Sequence, residues 1–251
     1  MLQLFDYCVA IFINLTITTY DQTLNNKKAW VYVQENHLDQ AEWFCKVDYD
    51  TIFFPDNVKH FVRHKKWNPF TEYHYFGHWI SARQNGRLPM IAGATACWSR
   101  KTLDDIAEVY RTMPRDNANG ERGKCEDRAQ ATEEATTALC LNQHLNISAY
   151  AARDDELREH ITVAKFDDQL TWNRTEQGEW WYWRGKPEGV GQMENSISIR
   201  PIGLHKYKSV AEIQGMHGAF FGEPGNNQIM RLKPHAKKYV LKVRKAMGID
   251  K

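Results

Sequence analysis

The chain has 251 residues, 42% of them hydrophobic and 25% charged, with a formal net charge of +2. That is enough apolar material for one domain, or one domain with an appendage, and too little charge imbalance to argue for nucleic acid as a partner. Aromatics reach 12% with nine Trp, which suits stacking on flat or sugar-like ligands and equally suits an aromatic core.

The first segment, MLQLFDYCVAIFINLTI, is interrupted by Asp6 and Asn14, has no basic residue before it and shows no small-residue cleavage site. It is also short for a membrane span. We expect a buried strand there, with any membrane attachment made through a segment absent from this chain. NNKKAWVYVQENHL predicts a helix capped by Asn25 or Asn26, with Ala29, Trp30, Val33 and His37 near one face. Trp43 to Val47 reads as a buried strand. Pro55 ends the apolar run Ile52 to Phe54, and DNVKHFVRH predicts a helix with Val58, Phe61 and Val62 inward.

Residues 65–90 read as irregular and rich in aromatics. PMIAGATACWS predicts a short strand of small residues, Gly93 among them, where a ligand or backbone could come close. SRKTLDDIAEVYR predicts an amphipathic helix capped by Ser99, with Leu103, Ile106, Ala107 and Tyr110 on one stripe. Residues 114–126 form a polar loop, and 130–145 a further helix. EWWYWRGKPEGVGQ is an aromatic cluster followed by a Gly-rich loop, and SISIRPIG a short alternating strand. Beyond residue 228 the tail is basic, a solvated helix anchored by Tyr239, Val240 and Val243. Strands alternating with helices predict an α/β layer fold.

Two aspartates stand out against this background. Asp48 and Asp50 lie between the two apolar runs, although Asp is a poor strand former and is rarely buried without a partner. Residues i and i+2 of a strand point the same way, and ligands of open α/β sheets bind beyond the carboxyl ends of strands. Such a pair suits a hard divalent cation that bridges to phosphates and acts as a Lewis acid. The plain alternative is a turn in which both side chains accept backbone N–H groups. Other patterns carry less. His60 and His64 are spaced i, i+4 without the Glu of HExxH, so a solvated face is expected. GKPEGVG lacks a phosphate-binding pattern. Asp167 and Asp168 do not establish a glycosidase pair. Five Cys without a CxxC give no zinc site, and sequons at Asn14, Asn146 and Asn173 tilt towards the secretory pathway.

HLDQAEWFCKVDYDTIFFPDNVKHFV resembles the central segment of the β1,3-glycosyltransferases of the fringe and core 1 galactosyltransferase type, glycosyltransferase family 31. Trp43, Phe44, Lys46, Asp48, Asp50, Thr51 and Asn57 match its pattern in register. YFGH at Tyr75–His78, AGATACWSRKTL, EEATTALCL, ARDDELREHI, EWWYWRGKPEGVG and NSISIRP follow in the family's order, over roughly residues 16 to 212.

The resemblance implies a GT-A type nucleotide-diphospho-sugar transferase fold, a Rossmann-like mixed sheet flanked by helices. The family's first strands precede the start of this chain. It also implies an inverting, metal-dependent enzyme moving a hexose, galactose foremost, from a UDP-sugar to a glycan or glycoprotein acceptor in β1,3 linkage. The cation would be Mn²⁺, with Mg²⁺ as the alternative, and the setting the lumenal side of the Golgi; a homodimer is allowed. Asp48 and Asp50 become metal ligands facing the diphosphate. The family's general base falls on Glu134, with Asp127 as the rival. Its preceding Cys falls on Cys125, making Cys125–Cys140 a disulfide candidate. Trp180, Trp181, Tyr182 and Trp183 match the acceptor side, and Gly93 is a substrate contact. The family's metal-binding His aligns with Arg200, which cannot ligate a cation but could bind diphosphate directly; His205, five residues on, is the alternative ligand. Residues 1–215 form the expected catalytic domain and 216–251 a basic extension. The alternative function is a catalytically inactive glycan-binding or chaperone-like relative.

Overall fold

The computed structural model describes residues 2–5, 8–11, 19–80, 88–112, 132–173, 191–223 and 227–250. In chain order the strands are β1 (Leu2–Phe5), β2 (Cys8–Ile11), β3 (Trp43–Val47), β4 (Ile52–Phe53), β5 (Tyr75–Ile80), β6 (Met90–Ser99), β7 (Tyr150–Ala151) and β8 (Gly203–Leu204). The helices are α1 (Thr19–His37), α2 (Pro55–His64), α3 (Arg100–Thr112), α4 (Glu133–Leu145), α5 (Phe166–Thr171), α6 (Val210–Phe221), α7 (Asn227–Met230) and α8 (Pro234–Ala246).

The larger sheet runs β1-β2-β3-β6-β5-β7, with β2–β3 and β5–β7 parallel and the other pairs antiparallel. A mixed sheet flanked by helices is the α/β arrangement expected of a GT-A type fold. Alternation along β3 sorts its side chains. Phe44 joins Trp30 and Val33 of α1, Leu103 and Ile106 of α3, and Leu141 of α4 on one face. Trp43, Cys45 and Val47 join Val58, Phe61 and Val62 of α2 on the other. A second, two-stranded sheet pairs β4 with β8. It roofs a third apolar cluster built by Phe166, Phe220, Tyr239, Val240 and Val243.

Several expectations need correction. The first apolar segment forms two strands paired as an antiparallel hairpin rather than one. α1 begins at Thr19, six residues before the expected caps at Asn25 and Asn26. The stretch read as irregular contains β5, a strand of six residues buried in its first four, and β6 is ten residues long, not short. Gly77 lies where those two strands meet. A Cβ there would stand 2.3 Å from Ile91 Cγ2 and 2.5 Å from the Thr95 carbonyl, so no larger residue fits. SISIRPIG is not an alternating strand. It makes a single bridge at Ile197, and pairing resumes only at Gly203 and Leu204, beyond Pro201, which has no N–H to give a ladder.

Other boundaries hold for visible reasons. Pro55 opens α2 at a position where its missing N–H costs nothing, and Ser99 Oγ accepts the Thr102 N–H at the start of α3. The boundary placed between 215 and 216 falls inside α6. α6 and α8 pack with Phe54 and Phe166 in the third cluster, and Arg244 donates to the carbonyls of Ala219, Phe220 and Gly222 at the end of α6. Cys45 and Cys97, directly opposite each other on β3 and β6, form a disulfide with Cα atoms 4.1 Å apart, the spacing of a close cross-strand pair. Sequence reading missed it, because connectivity depends on strand register. Cys140 is also disulfide-bonded, but the expected Cys125 pairing lies outside the described residues. Among the described residues, no helix is long and apolar enough to cross a membrane.

Candidate active site

β3 ends at Val47, and the Asp48 N–H still bonds to the Ala94 carbonyl of β6, at 3.1 Å. The chain then turns, with Thr51 N–H donating to the Asp48 carbonyl. The aspartates therefore sit on a turn, as the plain alternative held, yet it still points them the same way. Tyr49 between them is 73% exposed, while Asp50 is 5% exposed.

What meets them is His205. Its Nε2 stands 2.7 Å from Asp50 Oδ1 and 3.7 Å from Asp48 Oδ2, and one ligand atom from each of the three residues falls within 4.8 Å of the others. The chain places His205 by pairing β8 with β4 (Ile52 opposite Leu204) and by the Tyr207 N–H on the Asp50 carbonyl, 3.0 Å. Burial, reinforced by Lys206, pulls the His205 pKa below its ordinary value despite Asp50 and Asp48. A neutral imidazole is the form that ligates a metal. His205 Nδ1 is buried without a hydrogen-bond partner among the described residues. Two carboxylates and an imidazole fit a divalent cation such as Mn²⁺.

Arg200, the residue in register with the family's histidine, is not brought to this group. Its carbonyl accepts from His160 Nδ1 at 2.7 Å, its N–H donates to Ser198, and its charge is felt at His60 on α2. The signal for His205 was present: IGLH ends an apolar stretch just before Ser209 and Glu212, which form a capping box on α6.

A second group adjoins the first. Lys46, on the same face of β3 as Asp48, stands 3.5 Å from Asp48 and 2.6 Å from Glu133 Oε2. Glu133 and Glu134 occupy the first turn of α4, which Thr132 caps through the Ala135 N–H, and a helix N-terminus favours acids there. Burial pushes the Glu133 carboxyl up, against the pull of Lys46. Burial works to lower Lys46, but Glu133 and Asp48 outweigh it and leave the pKa raised. Lys46, Tyr75, Trp98, Glu133, Glu134 and Thr137 line a small recess. The arrangement can thus hold a cation at one end and offer a carboxylate at the other.

Glu134 is therefore in the recess. Lys46 and Glu133 were not singled out as site residues, although i and i+2 spacing from Asp48 placed Lys46 on its face. Gly93 lies within β6. Asp127, Trp180, Trp181, Tyr182 and Trp183 lie outside the described residues. His64 pairs with Asp155 rather than with His60, and Asp167 with Lys233.

No family model matches the chain. Over 166 residues it is 25% identical to glycoprotein-N-acetylgalactosamine 3-beta-galactosyltransferase 1 of Xenopus laevis, a stretch amounting to 62% of this chain and 39% of that protein. The chain thus spans about two fifths of the length of that relative. The likeness supports a glycosyltransferase relationship.

Proposed function

We propose that the chain acts as a metal-dependent, inverting glycosyltransferase that moves a hexose, galactose foremost, from a UDP-sugar to a glycan acceptor in β1,3 linkage. The observation that carries this reading is the convergence of Asp48, Asp50 and His205 beside the recess of Glu133 and Glu134. The likeness to a galactosyltransferase acting on N-acetylgalactosamine points to that acceptor type.

Asp48, Asp50 and His205 would hold Mn²⁺, or Mg²⁺ in its place. When bound, such a cation supplies Lewis-acid charge against a leaving diphosphate. Inversion needs one base to take the acceptor hydroxyl proton during attack. Glu133 is engaged with Lys46 at 2.6 Å, so we assign the base to Glu134, its neighbour on the same turn. The Lys46 ammonium holds Glu133 in place at 2.6 Å, shaping the wall against which the acceptor is oriented. The Cys45–Cys97 disulfide and the exposed sequon residue Asn146 support a lumenal, Golgi-type setting, since disulfides persist in oxidising compartments.

The test is transfer from UDP-galactose to an N-acetylgalactosamine-bearing glycopeptide, with Mn²⁺ or with EDTA, for the wild type and Asp50→Asn. Turnover that requires Mn²⁺ and is lost in Asp50→Asn is the expected result. Glycan binding that ignores both the metal and the substitution, without turnover, would support a non-catalytic relative instead.

A further inference from the structure

The imidazole of His205 can serve as a ligand only if its backbone is held. The residues on either side of it are tied down: Leu204 pairs with Ile52, and Tyr207 N–H donates to the Asp50 carbonyl. Between them, Lys206 has φ of 79°, a left-handed conformation that a non-glycine residue keeps only when its surroundings enforce it. The remaining tie is at His205 itself, whose N–H donates to Thr162 Oγ1 at 3.2 Å. Thr162 is fully buried, and its own N–H donates to the Gly203 carbonyl at 2.9 Å.

The segment carrying Thr162 is in turn clamped from behind. Ile161 bridges to Gly203, and the Ile161 carbonyl accepts from His78 Nδ1 of β5 at 2.8 Å. Two residues earlier, Glu159 is paired with Arg153 at 2.8 Å in a fully buried setting.

We infer that Thr162 is a positioning residue for the cation site: its hydroxyl fixes the backbone of His205 and so aims the imidazole at Asp48 and Asp50. This rests on the reading of those three residues as cation ligands. Groups that orient a ligand from behind typically change metal affinity by about 10- to 100-fold when removed. Thr162→Val keeps the shape and deletes the acceptor; Thr162→Ser keeps the acceptor; Thr162→Ala is a second deletion should Val fail to fold. A matched lesion exists at the other end of the sheet. There Thr102, also fully buried, accepts the His74 N–H through Oγ1 at 2.9 Å and shares a 2.9 Å hydrogen bond with Ser99 Oγ. Thr102→Val removes the same kind of backbone tie, together with the Ser99 bond, at the far end of β6.

Mn²⁺ binding to the full chain, titrated by electron paramagnetic resonance, reads the outcome alongside thermal unfolding. The expected result is a dissociation constant raised about 10- to 100-fold in Thr162→Val or Thr162→Ala, near wild type in Thr162→Ser, and near wild type in Thr102→Val even where its Tm falls. Unchanged affinity in both deletion variants overturns the inference. So does an equal loss in Thr102→Val, which would make the effect one of general stability, or a failure of Ser to restore binding. A wild type that binds no Mn²⁺ overturns the proposed function along with it, whereas binding abolished by Asp50→Asn and indifferent to Thr162 overturns only the positioning role.

Discussion

Two buried charged clusters in this molecule are built on opposite principles. At Arg244, whose side chain is fully buried, every described interaction is complementary. Nε and Nη2 donate to the two oxygens of Asp250 at 2.7 and 2.6 Å, and Nη1 donates to three carbonyls at the end of α6. Around Asp48, four carboxylates (Asp48, Asp50, Glu133 and Glu134) gather about Lys46 and a His205 whose pKa burial lowers, and one imidazole nitrogen has no partner among the described residues. A satisfied ionic cluster stabilises a helix junction. An under-compensated one gathers acidic groups with fewer cationic partners than carboxylates among the described residues. The first is the signature of architecture and the second of chemistry.

The contrast can be broken at four points. His205→Ala should reduce kcat/KM about 10³-fold, the several kcal/mol that a lost Lewis acid represents, while thermal unfolding stays close to wild type; a large fall in Tm instead would make the imidazole architectural. Glu134→Gln should lower kcat about 10²- to 10³-fold with Mn²⁺ affinity unaltered, measured by steady-state kinetics and metal titration. If Glu133→Gln shows that pattern and Glu134→Gln does not, the base has been assigned to the wrong neighbour. Arg244→Met should cost on the order of 3 kcal/mol by leaving Asp250 and three carbonyls without their donor, a Tm lower by roughly 6–12 °C, with the folded fraction turning over normally.

The smallest effect is a pH dependence. The hydrogen bonds from Arg244 hold Asp250 below the ordinary aspartate value of 3.8. A carboxylate depressed in the folded state contributes stability that is complete above the unfolded pKa and is lost as pH falls through the folded one. The gap in urea midpoint between wild type and Asp250→Asn should therefore be full at pH 7 and shrink below about pH 4. A gap that persists at pH 2 would mean the pair acts by packing and not by charge.

How much of this was legible beforehand differs by element. An apolar run disclosed β3, helical periodicity disclosed α2, α3 and α4, and Pro55 and Ser99 marked the starts of α2 and α3. β5 was hidden because YFGHWI is buried on both faces, so no polar alternation marks it, and Gly77 looks like a turn until the approach of Ile91 is known. In the site, the spacing of Asp48 and Asp50 raised a cation-binding pair beside the plain reading of a turn, and only the arrival of His205 groups the three side chains. The choice between Arg200 and His205 was not legible, since five residues of irregular chain through Pro201 can be placed only by the pairing of Leu204 with Ile52. Lys46 stood in plain view on the right face, but its partner Glu133 lies 87 residues away, a contact that local pattern cannot supply.

The short run from β8 to α6 has a practical bearing. His205 stands four residues before the Ser209 cap, and the helix that follows is locked at its far end by Arg244. Trimming the chain after residue 215 would halve that helix and strip the apolar bed beneath Leu204 and Phe54. The imidazole of His205 would then hang from a frayed end. Digestion that nicks the last forty residues should therefore silence cation binding well before it melts the main sheet.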